Sequence, residues 1–167
     1  MTRFIQLIAA FAVSFALAVA ALPANAQKPP PSTVAAKAQI QRGGEQQHRL
    51  VIQVDTNDAA AMNLALNNAA NVDQYYSDRG ELVEIEIITF GPGLHMLRED
   101  TSPVKDRIKS LAENRPTVQF KACSNTQENM SKVEKKKVPL VAQARVVPSG
   151  VVRIIELQEQ GWSYLRP

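Results

Sequence analysis

The residue most able to do covalent chemistry is Cys123, the only cysteine of the chain. It follows the alternating stretch TVQFKA and precedes the polar stretch SNTQENMSKV, so we predict that it lies where a strand ends and a helix begins. A thiol at the start of a helix meets unpaired backbone N–H groups and the positive end of the helix dipole, and both favour the thiolate. This position is typical of a nucleophilic or sulfur-carrying cysteine.

Cys123 has a second interpretation, because free cysteines are usually buried and behave as small apolar groups. A lone cysteine cannot close a disulfide within its own chain, and there is no C-x-x-C pair for dithiol exchange. What remains is single-thiol chemistry: a persulfide carrier, a sulfenic-acid sensor, a nucleophile with a base from elsewhere, or a disulfide to another chain. Because neither further cysteines nor well-spaced histidines accompany it, we predict no metal site and no cofactor.

Four other residues are candidates for a binding site around the thiol. Ser124 and Asn125 follow the cysteine, and we predict that one of them caps the helix while both supply N–H groups. Gly93 and His95 lie in the stretch GPGLHM, which offers backbone N–H groups and an imidazole. The alternative for that stretch is a tight turn with a solvated histidine.

The elements that must position these residues alternate along the chain. Apolar or alternating runs, such as LVIQV and LVEIEIITF, predict about five strands, with Glu84 and Glu86 on a wetter face of the second. Four helical patterns separate them, with cap candidates at Thr56–Asp58 and Ser149. This order predicts one α/β domain with a mainly parallel sheet covered by helices on both faces. Ligand-binding groups should then collect beyond the carboxyl ends of the strands.

The amino-terminal residues predict export of the chain. Met1 to Arg3 is a short basic start, Leu7 to Leu22 is almost wholly apolar, and Ala24-Asn25-Ala26 is a small-residue cleavage pattern. We therefore expect a signal peptide over residues 1–26, a periplasmic protein, and no stable membrane anchor after cleavage. Residues 27–47 are rich in Pro, Gln, Ala and Gly and predict a flexible leader, which leaves residues 48–167 as the folded domain.

Charge excludes one class of partner. The chain has 19 basic and 16 acidic side chains, and its formal net charge is +3. The basic residues form no long cluster interleaved with aromatic residues, as a nucleic-acid surface would require. We expect no nucleic-acid binding.

Taken in order, the motifs resemble the DsrE/DsrF-like family. The resemblance extends over about residues 48–167 and is carried by EIEIITFGPGLHML, by VQFKACSNTQENM, and by the carboxyl-terminal stretch VPSGVVRIIELQEQGWSYLRP. It is most specific at Ala122-Cys123 and in the carboxyl-terminal stretch. The order and spacing of the fragments carry more weight than any one of them.

The resemblance implies a fold, an assembly and a role for the cysteine. The implied fold is a three-layer α/β/α sandwich with about five strands, and the implied assembly is a homotrimer or homohexamer. In sulfur-relay members a cysteine accepts sulfane sulfur as a persulfide and passes it to a partner, so the resemblance implies a thiol-bearing donor or acceptor protein and sulfurtransferase-like carriage on Cys123. The alternative is a non-catalytic protein that binds a small ligand or assembles with itself, with a structural cysteine.

Overall fold

The computed structural model of the protein describes residues 47–167. The predicted signal peptide and nearly all of the predicted leader lie outside the described residues. Within residues 47–167, none of the helices combines the length and the apolar character that crossing a bilayer requires.

Five strands alternate with four α-helices in the described part of the chain, as the sequence predicts. The strands are β1 (Gln47–Val54), β2 (Leu82–Thr89), β3 (Val118–Cys123), β4 (Ala144–Val147) and β5 (Ser163–Leu165). The helices are α1 (Ala59–Ser77), α2 (Lys105–Asn114), α3 (Ser124–Glu134) and α4 (Gly150–Glu159). A 3₁₀ helix (Gly91–Leu97) follows β2.

The strands form one parallel sheet in the order β4-β3-β2-β1-β5. The chain builds the sheet outward from β1 to β4 and then returns across it to add β5 beside β1. This topology confirms the predicted α/β fold with a five-stranded parallel sheet. Because the strands are parallel, their carboxyl ends share one edge, which we call the carboxyl edge.

Helices cover both faces of the sheet. The larger apolar cluster contains Ile52 and Ile87, and α3 packs against it through Met130. The smaller cluster joins Val51 and Ile88, the alternate residues of the same strands, to α4. Since successive strand residues point to opposite faces, α3 and α4 lie on opposite sides of the sheet.

Side-chain caps begin two of the helices where the sequence predicts them. Asp58 accepts hydrogen bonds from the N–H groups of Ala60 and Ala61 at 3.1 and 3.2 Å and caps α1. Ser149 accepts one from Val152 at 3.4 Å and caps α4. Each cap satisfies N–H groups that have no partner within the helix.

The prediction that Glu86 lies on a wetter face is wrong. Glu86 is only 4 % exposed, and its carboxylate accepts hydrogen bonds from Arg153 of α4 at 2.7 and 3.0 Å. The ammonium group of Lys121 on the adjacent strand lies 3.7 Å away. The alternation that placed Glu86 opposite the apolar residues is correct, but α4 covers that face. Glu84, two residues earlier, is half-buried, and 46 % of its side chain is exposed.

A second ionic cluster holds the 3₁₀ helix against the far end of α3. The side chain of Arg98 is 2 % exposed and donates to both carboxylate oxygens of Asp100 at 2.9 Å. It also donates to both oxygens of Glu134, the last residue of α3. These bonds fix the space between the 3₁₀ helix and α3, which borders the site described next.

Candidate functional site

The junction of β3 and α3 places Cys123 at the carboxyl edge. Cys123 is the last residue of β3, paired in register with Val147 of β4, and it is also the N-cap residue of α3. Its backbone is extended, at φ −70° and ψ 118°, and the helix begins at Ser124. The prediction that Ser124 or Asn125 caps the helix is therefore wrong. The strand continues one residue further than its alternation alone suggested, which moves the cap to the cysteine.

The N-terminus of α4 approaches the same sulfur from the other side of the sheet. Gly150 is the first residue of α4, and its N–H lowers the pKa of the Cys123 thiol. The absence of a side chain permits this approach, because a methyl group on Gly150 would lie 3.0 Å from Cδ1 of Phe90 and 3.3 Å from Cγ2 of Ile88. The sulfur thus lies between the N-termini of two helices, where both dipoles favour negative charge.

Two opposing effects act on the pKa of the Cys123 thiol. Burial is the larger single effect and raises the pKa, since the residue is only 4 % exposed. The hydroxyl of Thr126 and the N–H groups of Gly150, Thr126 and Asn125 lower it, and together they hold the pKa below its ordinary value. The side chain of Cys123 makes no capping hydrogen bond to the first turn of α3. The hydroxyl and the N–H groups therefore favour ionisation of a thiol that is almost fully covered.

Thr126 connects the thiol to the turn after β2. It is the third residue of α3, and its hydroxyl oxygen accepts the N–H of Gly91 at 3.0 Å. Gly91 has φ +51°, a backbone conformation that favours glycine, and it begins the 3₁₀ helix. Residues after β2 and β3 therefore meet beside the sulfur.

An open groove of about 450 Å³ begins at Thr126 and runs along α3. Pro92 and His95 of the 3₁₀ helix line one side of it, and Met130 and Val133 of α3 line the other. His95 shares a hydrogen bond of 2.8 Å between its Nδ1 and the hydroxyl of Thr101. His95 therefore faces the groove, and it is not among the groups that surround the sulfur.

Gly93 has a packing role in the structure. It is buried in the 3₁₀ helix, and a methyl group on it would overlap the backbone carbonyl of Val54 at the end of β1. Its N–H donates to the carbonyl of Phe90 at 3.1 Å. The glycine lets the 3₁₀ helix lie directly on β1, and its own N–H is already used.

The two residues after the cysteine differ in how they contribute. The hydroxyl of Ser124 donates to Glu128 at 2.9 Å on the helix surface. The N–H of Asn125 lies near the sulfur and also donates to the carbonyl of Pro148 at 3.4 Å, which ties α3 to the end of β4. Of the predicted neighbours, only Asn125 contacts the thiol environment, and it does so through its backbone.

Sequence reasoning did not include Thr126 and Gly150 among the site residues. A signal for Thr126 was present, because a side chain at the third position of a helix reaches back toward the N-cap residue. Gly150 follows the predicted cap Ser149, but nothing local indicates that β4 pairs with β3. Across residues 47–167, no group of three or more His, Cys, Asp or Glu side chains is arranged to hold a metal ion.

Comparison with known proteins agrees with this architecture. Residues 48–167 match the sequence model of the DsrE/DsrF-like family. A solved structure of a protein of unknown function from Methanobacterium thermoautotrophicum is similar, with 30 % sequence identity and a TM-score of 0.61. That similarity covers 72 % of this chain and 99 % of the other. A search of curated proteins found no match.

Proposed function

Because the chain belongs to the DsrE/DsrF-like family, we propose that it carries sulfane sulfur as a persulfide on Cys123. The observation that carries the proposal is the position of the sulfur between the N-termini of α3 and α4. There the N–H groups of Asn125, Thr126 and Gly150 favour the thiolate. The thiolate is the form that attacks sulfur, so a lowered thiol pKa increases the reactive fraction of Cys123.

The proposed cycle consists of two sulfur transfers. The thiolate of Cys123 attacks the outer sulfur of a donor persulfide, R–S–SH. A new S–S bond forms, the S–S bond of the donor breaks, and the donor leaves as the thiolate R–S⁻. An acceptor thiolate then attacks the outer sulfur on Cys123, takes it as a persulfide, and regenerates the Cys123 thiolate. No net oxidation occurs in either step.

Burial of the sulfur sets a preference among donors. Since Cys123 is only 4 % exposed, a small donor should reach its sulfur more readily than a large one. We expect inorganic polysulfide to load the protein faster than a bulky persulfide such as that of glutathione. A protein acceptor would have to dock against the carboxyl edge.

Intact-mass spectrometry tests the proposal. Reduced protein is incubated with polysulfide, desalted and weighed beside the Cys123→Ser variant. We expect one added sulfur on the natural protein, removed by a thiol reductant, and none on the variant. An unmodified natural protein, or equal addition to both proteins, would contradict the proposal.

A second candidate is a non-catalytic, self-assembling protein with a structural cysteine. Two observations favour it: the small exposure of Cys123, and three half-exposed apolar residues, Val151, Val152 and Ile155, on the outer face of α4. It predicts no sulfur adduct and a homo-oligomer in solution. Light scattering of the natural protein beside Ile155→Glu tests the assembly, because a charge on that face should dissociate it.

We also propose that the protein is exported to the periplasm. The apolar segment from Leu7 to Leu22 and the Ala24-Asn25-Ala26 pattern support this proposal. Amino-terminal sequencing of the protein recovered from a periplasmic extract should begin at Gln27.

A further inference from the structure

We propose that the ring of Phe90 covers the sulfur of Cys123 and determines the size of the molecules that can exchange sulfur with it. This inference rests on the proposed function, and it names the residue that sets the preference for small donors. It follows from the register of β2 and β3, from the alternation of their side chains, and from the contact between Phe90 and the start of α4.

Strand register places Phe90 beside Cys123. The parallel pairing of β2 with β3 sets Thr89 opposite Ala122, so the next row contains Phe90 and Cys123. Phe90 continues the extended backbone of β2, with φ −151° and ψ 170°, and its N–H donates to the carbonyl of Val54 at 3.3 Å. Because adjacent strands lie about 4.8 Å apart, Phe90 and Cys123 are neighbours across the sheet.

Both side chains point to the face of the sheet that α4 covers. Phe90 packs against the smaller apolar cluster, which contains Ile88, two residues earlier in the chain. Cys123 follows Lys121 by two residues, and the ammonium group of Lys121 lies 3.7 Å from Glu86 on this same face. Since alternate residues of a strand share a face, the side chains of Phe90 and Cys123 stand side by side.

The start of α4 holds the ring of Phe90 in this position. Gly150 is buried, and a methyl group added to it would lie 3.0 Å from Cδ1 and 3.1 Å from Cβ of Phe90. The ring therefore lies against the backbone at the first turn of α4. Phe90 is itself half-buried, so it lies between the covered sulfur of Cys123 and the solvent. The other neighbour of Cys123 in the row is Val147 of β4, whose side chain is smaller.

A ring in this position discriminates between donors by their size. Inorganic polysulfide is a chain of sulfur atoms without side groups, whereas glutathione persulfide carries a peptide beside its reacting sulfur. Steric boundaries commonly discriminate between related molecules by about tenfold or more. Phe90 should therefore admit the first donor and hinder the second.

The test measures how fast two reagents of different size alkylate the full chain in its reduced form. Iodoacetamide is small and fluorescein maleimide is bulky. Both react with the thiolate, so the ratio of their rate constants does not depend on the thiol pKa. Because the chain has one cysteine, each rate, corrected with Cys123→Ser, reports Cys123 alone. Phe90→Ala removes the ring, and Phe90→Leu keeps a smaller apolar side chain against α4.

Trp162→Ala is the matched control. Trp162 packs against the same apolar cluster as Phe90, but it follows α4 and directly precedes β5. It therefore lies at the edge of the parallel sheet opposite to the carboxyl edge. Its removal should loosen the packing of α4 without uncovering Cys123.

We expect Phe90→Ala to accelerate the bulky reagent at least about tenfold more than iodoacetamide. Phe90→Leu should change the ratio in the same direction by a smaller factor, and Trp162→Ala should leave it unchanged. If circular dichroism shows that Phe90→Ala does not fold, Phe90→Leu decides the question alone. An unchanged ratio in the folded Phe90 variants would overturn the inference, because other groups would then cover the sulfur. An equal change in Trp162→Ala would also overturn it, because loosening of α4 would then be the cause.

The two proposals fail separately, because alkylation requires no persulfide. An unchanged alkylation ratio, with a sulfur adduct still forming on the natural protein, removes the role of Phe90 and leaves sulfur carriage standing. A changed ratio without any adduct on the natural protein leaves Phe90 as the cover of a thiol with another function. Where both hold, Phe90→Ala should accept sulfur from glutathione persulfide nearly as fast as from polysulfide.

Discussion

Replacing Glu86 tests whether α4 buries an ion pair on the face of the sheet that it covers. Its side chain is 5 % exposed, and its single negative charge lies between two cations, Arg153 at 2.7 Å and Lys121 at 3.7 Å. Glu86→Gln keeps the size of the side chain and one carbonyl acceptor for Arg153, but it removes the charge. The side chain of Lys121 is only 10 % exposed, so its ammonium group would then lie in a covered site without a counter-ion.

Removing one partner of a buried ion pair usually costs about 3–5 kcal/mol. Arg153 retains partial hydration, with 30 % of its side chain exposed, so we expect the free energy of unfolding to fall by about 2–4 kcal/mol. Removing Lys121 as well should return part of this loss, because the covered cation is then gone. Glu86→Gln with Lys121→Met should therefore be more stable than Glu86→Gln alone.

Urea unfolding at neutral pH measures the effect, with Glu84→Gln as the matched control. Glu84 lies on the same face of the same strand, but its side chain is 46 % exposed and lies 4.0 Å from Arg49. The control should change the free energy of unfolding by less than about 0.5 kcal/mol. Equal small losses in Glu86→Gln and Glu84→Gln would refute the reasoning, because the charge of Glu86 would then be hydrated.

Two further changes test other parts of the fold. Arg98 lowers the pKa of both Asp100 and Glu134, so the stability that these ion pairs contribute is complete above the ordinary carboxyl pKa values and is lost as the pH falls below them. The difference in unfolding free energy between the natural protein and Arg98→Met should therefore shrink between pH 5 and pH 2. A constant difference would contradict this. In urea unfolding, Gly93→Ala should lower the free energy of unfolding by about 3 kcal/mol, because the added methyl group meets the backbone of Val54. Gly80→Ala should lower it by only about 1 kcal/mol, because Gly80 has φ +69° but open space around it. Equal losses would refute the packing role of Gly93.

The local parts of the fold were predictable because local physics decides them. Asp58 and Ser149 cap helices in the structure, since their short polar side chains bond the first N–H groups wherever a helix follows. The alternation of β2 and β3 identified both strands and the position of Cys123 at a junction. These signals depend on neighbours in sequence, so tertiary contacts did not override them.

The errors arose where distant residues decide the outcome. The wetter face assigned to Glu86 is covered because α4, formed almost 70 residues later, returns across the sheet. GPGLHML forms a 3₁₀ helix because Leu94, Met96 and Leu97 are all buried and Gly93 lies against Val54. The preference of glycine and proline for turns is a local effect, and it does not account for the burial of these side chains.

The site itself depends on the strand order, which the sequence does not reveal. The connection after β3 runs outward to β4 through α3 on one face, whereas the connection after β4 returns to β5 through α4 on the other. Adjacent parallel strands whose helices leave to opposite faces open a crevice between them, where ligands bind in open α/β sheets. Cys123 ends one of these strands and Gly150 begins the helix after the other. If α4 lay on the same face as α3, the sulfur would lose the N–H of Gly150, so the proposed chemistry of Cys123 depends on the reversal at β4.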